Sequence, residues 1–171
     1  MVRARSMITY GLLQVRRNVF ELHRDDVVIA EIALHHGERA NVRTLGAKYD
    51  LHAVDGIRKR VVQYGDRVRT AARSSSLDRY AIDLEDVTLY WHALPGPRGT
   101  YCWMTGDARI VARYAPSGEG SFVIEVEDGA TVDENVMIVG AYLLLHATIE
   151  VAPNYASAPS HLRSFPTRDS V

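Results

Sequence analysis

The sequence predicts a mainly β domain whose strands form a layer around one apolar C-terminal helix. Three observations predict it. Most of the chain alternates short β-prone runs with turn chemistry, one late stretch carries helix start and stop signals, and that stretch is apolar on nearly every side. At 171 residues, 47% of them hydrophobic, the chain is one domain with enough apolar material for a sizeable core. That excludes disorder as its dominant state.

The first strands are Asn18-Val19-Phe20-Glu21-Leu22 and Val27 to Leu34, separated by Asp25-Asp26 and closed by His35-His36-Gly37. This spacing predicts a meander. Further runs are Arg39 to Leu45, Lys48 to Val54, Ile57 to Tyr64, Arg67 to Arg73, Tyr80 to Leu84 and Val87 to Ala93. After the loop Pro95-Gly96-Pro97-Arg98-Gly99 come Thr100 to Met104, Ala108 to Tyr114 and Ser121 to Glu127. About ten such runs are too many for one flat sheet and enough for a sandwich or barrel. Trp91, Trp103, Phe20 and Phe122 lie in runs that read as core.

Thr131-Val132-Asp133-Glu134 has the spacing of a capping box and opens a helix expected over about residues 132–149, with Pro153 as its latest end. Val136, Ile138, Val139 and Leu143 point to different sides, so the helix must be enclosed rather than laid on a surface. Gly140 and Ala141 would let helix and sheet backbones approach closely. The alternative is an α+β packing in which the helix covers one sheet face.

From Pro153 onward, Pro153-Asn154-Tyr155-Ala156-Ser157-Ala158-Pro159-Ser160 and its continuation predict a mobile Pro/Ser-rich tail, residues 153–171, after a single domain, residues 1–152. Arg3, Arg5, Arg16 and Arg17 precede the first acid, Glu21, as in a transit sequence. Ile8 to Leu13 is nevertheless too short for a secretory core and has no small-residue cleavage site after it. The apolar stretch Val136 to Ala147 is broken by His146 and falls short of the ~20 residues a bilayer requires. The expectation is a soluble, cytoplasmic monomer, peripheral at membranes if it meets them at all.

The order of elements, with the Tyr101-Cys102-Trp103, Ala112-Arg113-Tyr114 and Phe122-Val123-Ile124-Glu125-Val126 strands and the step at Asp133-Glu134 into an apolar helix, resembles the tubby C-terminal-like superfamily. That group includes tubby proteins, phospholipid scramblases, plant LURP-one-related proteins and small fungal and bacterial members. The resemblance is one of layout and covers roughly residues 7 to 151. It implies a closed antiparallel barrel of about twelve strands with the helix threaded through it. It also implies phosphoinositide headgroup binding by basic side chains on the exterior. The chain departs from the group by continuing past the helix, and it lacks the cysteine cluster and acidic calcium-binding segment of scramblases.

Twenty Lys and Arg against 21 Asp and Glu give a net charge of −1, which excludes a globally basic nucleic-acid coat. Charge is instead local. Arg58, Lys59, Arg60, Arg67, Arg69, Arg73 and Arg79 face only Asp66 and Asp78 between Ile57 and Arg79, a balance of +5. A two-residue turn at Gly65-Asp66 would set Val62 opposite Arg69 and Arg58 opposite Arg73. Strand alternation then puts Arg58, Arg60, Arg67, Arg69 and Arg73 on one face and Ile57, Val61, Val68 and Ala72 on the other. Arg58, Lys59, Arg60, Arg67, Arg69 and Arg73 are the candidate anion ligands, because guanidinium forks suit phosphate. The alternative is a solvated outer face balanced by neighbouring acids.

Other constellations are weaker. His35-His36-Gly37-Glu38 sits at a turn, where adjacent histidines diverge, so no metal site is expected. His52 with Asp55, and His146 with Glu150, could do acid–base work in a cavity, though a packed histidine is the expected fate of His146. Cys102, the lone cysteine, is expected to be an inert packed thiol, and it excludes a disulfide framework. No nucleotide-binding, hydrolase or metalloprotease motif is present, no cofactor is expected, and the basic stretch offers too few aromatics to stack nucleic acid. The expected function is therefore a non-enzymatic module for anionic phospholipid or phosphoinositide headgroups. A small-ligand barrel or enzyme, or a protein-interaction barrel, are the alternatives.

Overall fold

A computed structural model describes residues 5–36, 39–54, 60–64, 71–76, 79–129 and 132–149. The chain is mainly β, an antiparallel sheet followed by one C-terminal helix. The described residues form β1 (Met7–Arg16), β2 (Val19–Arg24), β3 (Val27–His35), β4 (Arg39–Thr44), β5 (Lys48–Val54) and β6 (Arg60–Tyr64). Next come β7 (Ala71–Ser76), β8 (Arg79–Asp83), β9 (Thr88–Ala93), β10 (Tyr101–Thr105), β11 (Ile110–Gly118), β12 (Ser121–Glu127) and α1 (Glu134–Thr148). The tail expected over 153–171 lies outside the described residues.

Each strand pairs antiparallel with the next in sequence, and β1 pairs on its other side with β12, from Met7 opposite Glu127 to Leu13 opposite Ser121. Local chemistry sets the tight connections. Asn18 and Asp25 adopt positive φ, 61° and 53°, in the β1–β2 and β2–β3 turns, a conformation that short amide and carboxylate side chains tolerate. The period of two then sorts the side chains: Ala30, Ile32 and Leu34 of β3 and Phe122, Ile124 and Val126 of β12 are buried on one face. β1, which is not among the runs the sequence marks as strands, is at 10 residues the longest strand described.

The helix starts later than the sequence suggests. Asp133, not Thr131, is the N-cap, and its carboxylate accepts from the Val136 N–H at 2.9 Å. An aspartate next to the first turn satisfies the free amides and complements the positive helix end, so it takes the role assigned to the capping box. At the other end Ile149 is already extended, and its N–H closes on Leu145 O at 2.7 Å. The helix is therefore 15 residues, shorter than the interval 132–149.

Every residue from Val136 to Leu145 is buried. A helix lying on one sheet face keeps a solvent stripe, and this segment has none. It comes close to the strands at Gly140. A Cβ there would stand 2.6 Å from Trp103 Nε1 and nearer still to Tyr114 Oη. The Tyr114 hydroxyl donates to Met137 O at 3.1 Å, pinning β11 to the helix backbone. Trp91 fills the space beside this node, with ring centroids 5.0 Å from Trp103, 5.0 Å from Tyr114 and 5.3 Å from the stacked Tyr101.

Antiparallel order places alternate connections at opposite ends of the strands. The β1–β2, β3–β4, β9–β10 and β11–β12 connections lie at one end, and the β2–β3, β4–β5, β8–β9 and β10–β11 connections at the other. The helix C-terminus reaches the first of these ends: Thr148 Cγ2 is 3.2 Å from where a Gly99 Cβ would stand in the β9–β10 connection. The helix N-terminus reaches the second, where Asp133 and Glu134 share a cavity of about 120 Å³ with Tyr10 and Arg24.

Candidate functional site

Of the six predicted anion ligands, Arg60 and Arg73 lie on described backbone, and the strand register sets them directly opposite each other across β6 and β7. Arg58, Lys59, Arg67 and Arg69 lie outside the described residues. The expected register is corrected by two residues. Val62 stands opposite Ala71 rather than Arg69, Val61 opposite Ala72, and Arg73 opposite Arg60 rather than Arg58. The Gly65-Asp66 turn itself lies outside the described residues. The physical reason is pairing chemistry: the observed register matches apolar with apolar, Val61-Val62 with Ala72-Ala71, whereas the tighter turn sets Val62 against arginine. A shift of two keeps the alternation that separates the arginine positions from the apolar ones.

The register also links this pair to its neighbours. Arg39 of β4 stands opposite His35 on one side and His52 on the other, and His52 stands opposite Val62, two residues along β6 from Arg60. From strand spacing and rise, the backbones at Arg39 and Arg60 are about 12 Å apart. Arg39 is exposed and has no ion-pair partner among the described residues.

Four arginines elsewhere, Arg5, Arg16, Arg43 and Arg109, are matched by acids. Glu127, only 7% exposed, receives the Arg5 and Arg109 guanidinium groups, the latter at 3.1 Å. Glu31 receives Arg43 at 2.8 Å and Arg16 at 3.4 Å. The sequence carried no signal for the Glu127 pairings, because the β1–β12 and β11–β12 geometry alone brings the partners together. Asp107 is exposed and its carboxyl is held below the usual range, first by the Thr105 hydroxyl, then by its own backbone N–H, with Arg109 adding to it.

Among the described residues no three His, Cys, Asp or Glu side chains could hold a metal ion. His35 and His36 are exposed, and Glu38 lies outside the described residues. Asp55 and Glu150, the partners considered for His52 and His146, also lie outside them. His146 packs its ring edge-on to Tyr142 at 4.5 Å. Cys102 is fully buried, and desolvation pushes its thiol up to about 11 against a weaker opposing contact with the His92 backbone, so it stays protonated at neutral pH. Burial likewise raises the Tyr114 phenol, which therefore acts as a neutral donor.

No helix among the described residues is long and apolar enough to cross a membrane. Comparison of the chain with protein-family models, with curated proteins and with solved structures found no match.

Proposed function

We propose that the protein is a non-enzymatic binding module for anionic phospholipid surfaces or phosphoinositide headgroups, built as a tubby-like closed barrel around its apolar helix and acting as a cytoplasmic, peripheral monomer. The single observation that carries the anion binding is the register that sets Arg60 opposite Arg73 within the stretch of balance +5. Like charges directly opposed on a sheet destabilise it. A phosphate between two guanidinium forks relieves that repulsion with bidentate bonds. The barrel is supported by the pairing of β1 with both β2 and β12 and by the burial of Val136 to Leu145.

A small-ligand barrel or an enzyme is less well supported, because in the proposed barrel the buried helix takes the place a lumenal ligand would need and Cys102 is a buried, protonated thiol. Co-sedimentation with vesicles is the test. Binding to phosphatidylserine–phosphatidylcholine vesicles should exceed binding to phosphatidylcholine alone. The double variant R60A/R73A should weaken it about thirtyfold, at about 1 kcal/mol for each basic residue near an anionic surface. Equal binding to the two vesicle types would reject the proposal.

A further inference from the structure

Among the described residues the two ends of the strands differ in charge. At the end where the helix C-terminus emerges, the described connections carry Arg17 and Arg98 against one acid, Glu119. Arg16 and Arg39 flank two of these connections, and Arg60, the first residue of β6, lies at the same end with Arg73 opposite it. Arg17, Arg39 and Arg98 are exposed and have no ion-pair partner among the described residues. At the opposite end the described connections carry Asp25, Asp26, Glu85, Asp86, Asp107 and Asp128, all exposed. Arg5 and Arg109, which also lie there, are both held by Glu127, and Arg24 lies 6.0 Å over the Tyr10 ring.

The helix is oriented in keeping with this division. Its positive N-terminal end, with Asp133 and Glu134, lies at the acidic end, and its negative C-terminal end reaches the β9–β10 connection that carries Arg98. Two consequences follow from elementary electrostatics. A molecule with separated charge turns in the field of an anionic surface, and it presents the end whose charges are not already matched by neighbours. Flank-on contact along β6 and β7 would bring both ends equally near the surface, including the acidic one, which an anionic surface repels.

We propose that the protein docks end-on to an anionic bilayer, with Arg17, Arg39 and Arg98 completing the contact begun by Arg60 and Arg73 and with the acidic end pointing away. This rests on the anion-binding function proposed above, and it adds three contact residues outside the β6–β7 hairpin and an orientation.

The full-length chain should be compared with the variants R17Q/R39Q/R98Q, R60A/R73A and D25N/D26N on phosphatidylserine–phosphatidylcholine vesicles, after circular dichroism has matched their folds to the parent. Removing the three rim charges should lower affinity about a hundredfold, at about fivefold for each basic residue. Neutralising Asp25 and Asp26 should change it less than twofold, since charges beyond ~10 Å are largely screened. Should R17Q/R39Q/R98Q bind as tightly as the parent while R60A/R73A does not, end-on docking is wrong and the hairpin function stands. A parent chain that does not distinguish anionic from neutral vesicles removes both. Loss of binding on neutralising Asp25 and Asp26 also overturns the orientation.

Discussion

Gly140 is the residue on which the helix–strand contact turns. In an exposed helix, replacing glycine with alanine gains about 1 kcal/mol by removing backbone freedom from the unfolded chain. Here the new methyl meets Trp103 Nε1 at 2.6 Å and Tyr114 Oη closer still, and both rings are held by Trp91. Neither ring is the loose end of a flexible chain, so the helix backbone must shift. Overpacking of this kind costs about 1–3 kcal/mol or more, which exceeds the propensity gain. G140A should therefore lower the thermal midpoint by several degrees, at about 2–4 °C per kcal/mol for a chain of this size. Thermal unfolding by circular dichroism checks it, and a midpoint equal to or above the parent's would show that the node has slack. The sequence made Gly140 legible, because a glycine in the middle of an otherwise bulky apolar helix marks a close approach. It did not show what approaches, since Trp103 and Tyr114 belong to strands distant in the chain.

At the level of elements, the helix terminus shows how a local signal can be right in kind and wrong in place. Thr131 and Glu134 have capping-box spacing, yet Asp133 accepts from the Val136 N–H, because carboxylate is the better acceptor beside the first turn. Replacing Asp133 with Ala should cost about 1 kcal/mol, with Asp133→Asn or Asp133→Ser recovering most of it. Chemical denaturation checks this. A T131A variant that loses more stability than D133A would return the cap to Thr131. The strands were legible where alternation was clear, as in β3 and β12, whose buried Ala30-Ile32-Leu34 and Phe122-Ile124-Val126 follow period two. β1 was missed because Arg16 and the outward Leu13 and Val15, 40% and 43% exposed, blur its alternation. The hairpin register was not legible because a shift of two residues leaves the alternation of β6 and β7 unchanged. Of the candidate site, the positions of Arg60 and Arg73 were legible and their partnership was not.

For the whole molecule, the near-neutral total of −1 conceals a separation along the strand axis among the described residues, and the fate of β1 decides the architecture. An open sheet of many strands has two edges, whose unpaired amides are solvated and open easily. β1 has a partner on each side, β2 and β12, and Leu12 at its centre is fully buried. If the strands close around the helix, β1 and β12 open only in the global transition, with a free energy in the range of about 5–15 kcal/mol typical of a whole domain. Native-state hydrogen exchange should then show β1 and β12 amides as slow as those of β3, which sits between two strands by any account. In an open sheet the β1–β12 contact would be a weak seam, and the amides bonded across it would exchange by local opening at least a hundredfold faster, a difference of about 3 kcal/mol or more. The same experiment bears on the helix. In the closed arrangement its amides from Ile138 to Leu145 should share the slow exchange of β1 and β12, because a helix enclosed by paired strands leaves its place only when those pairings break.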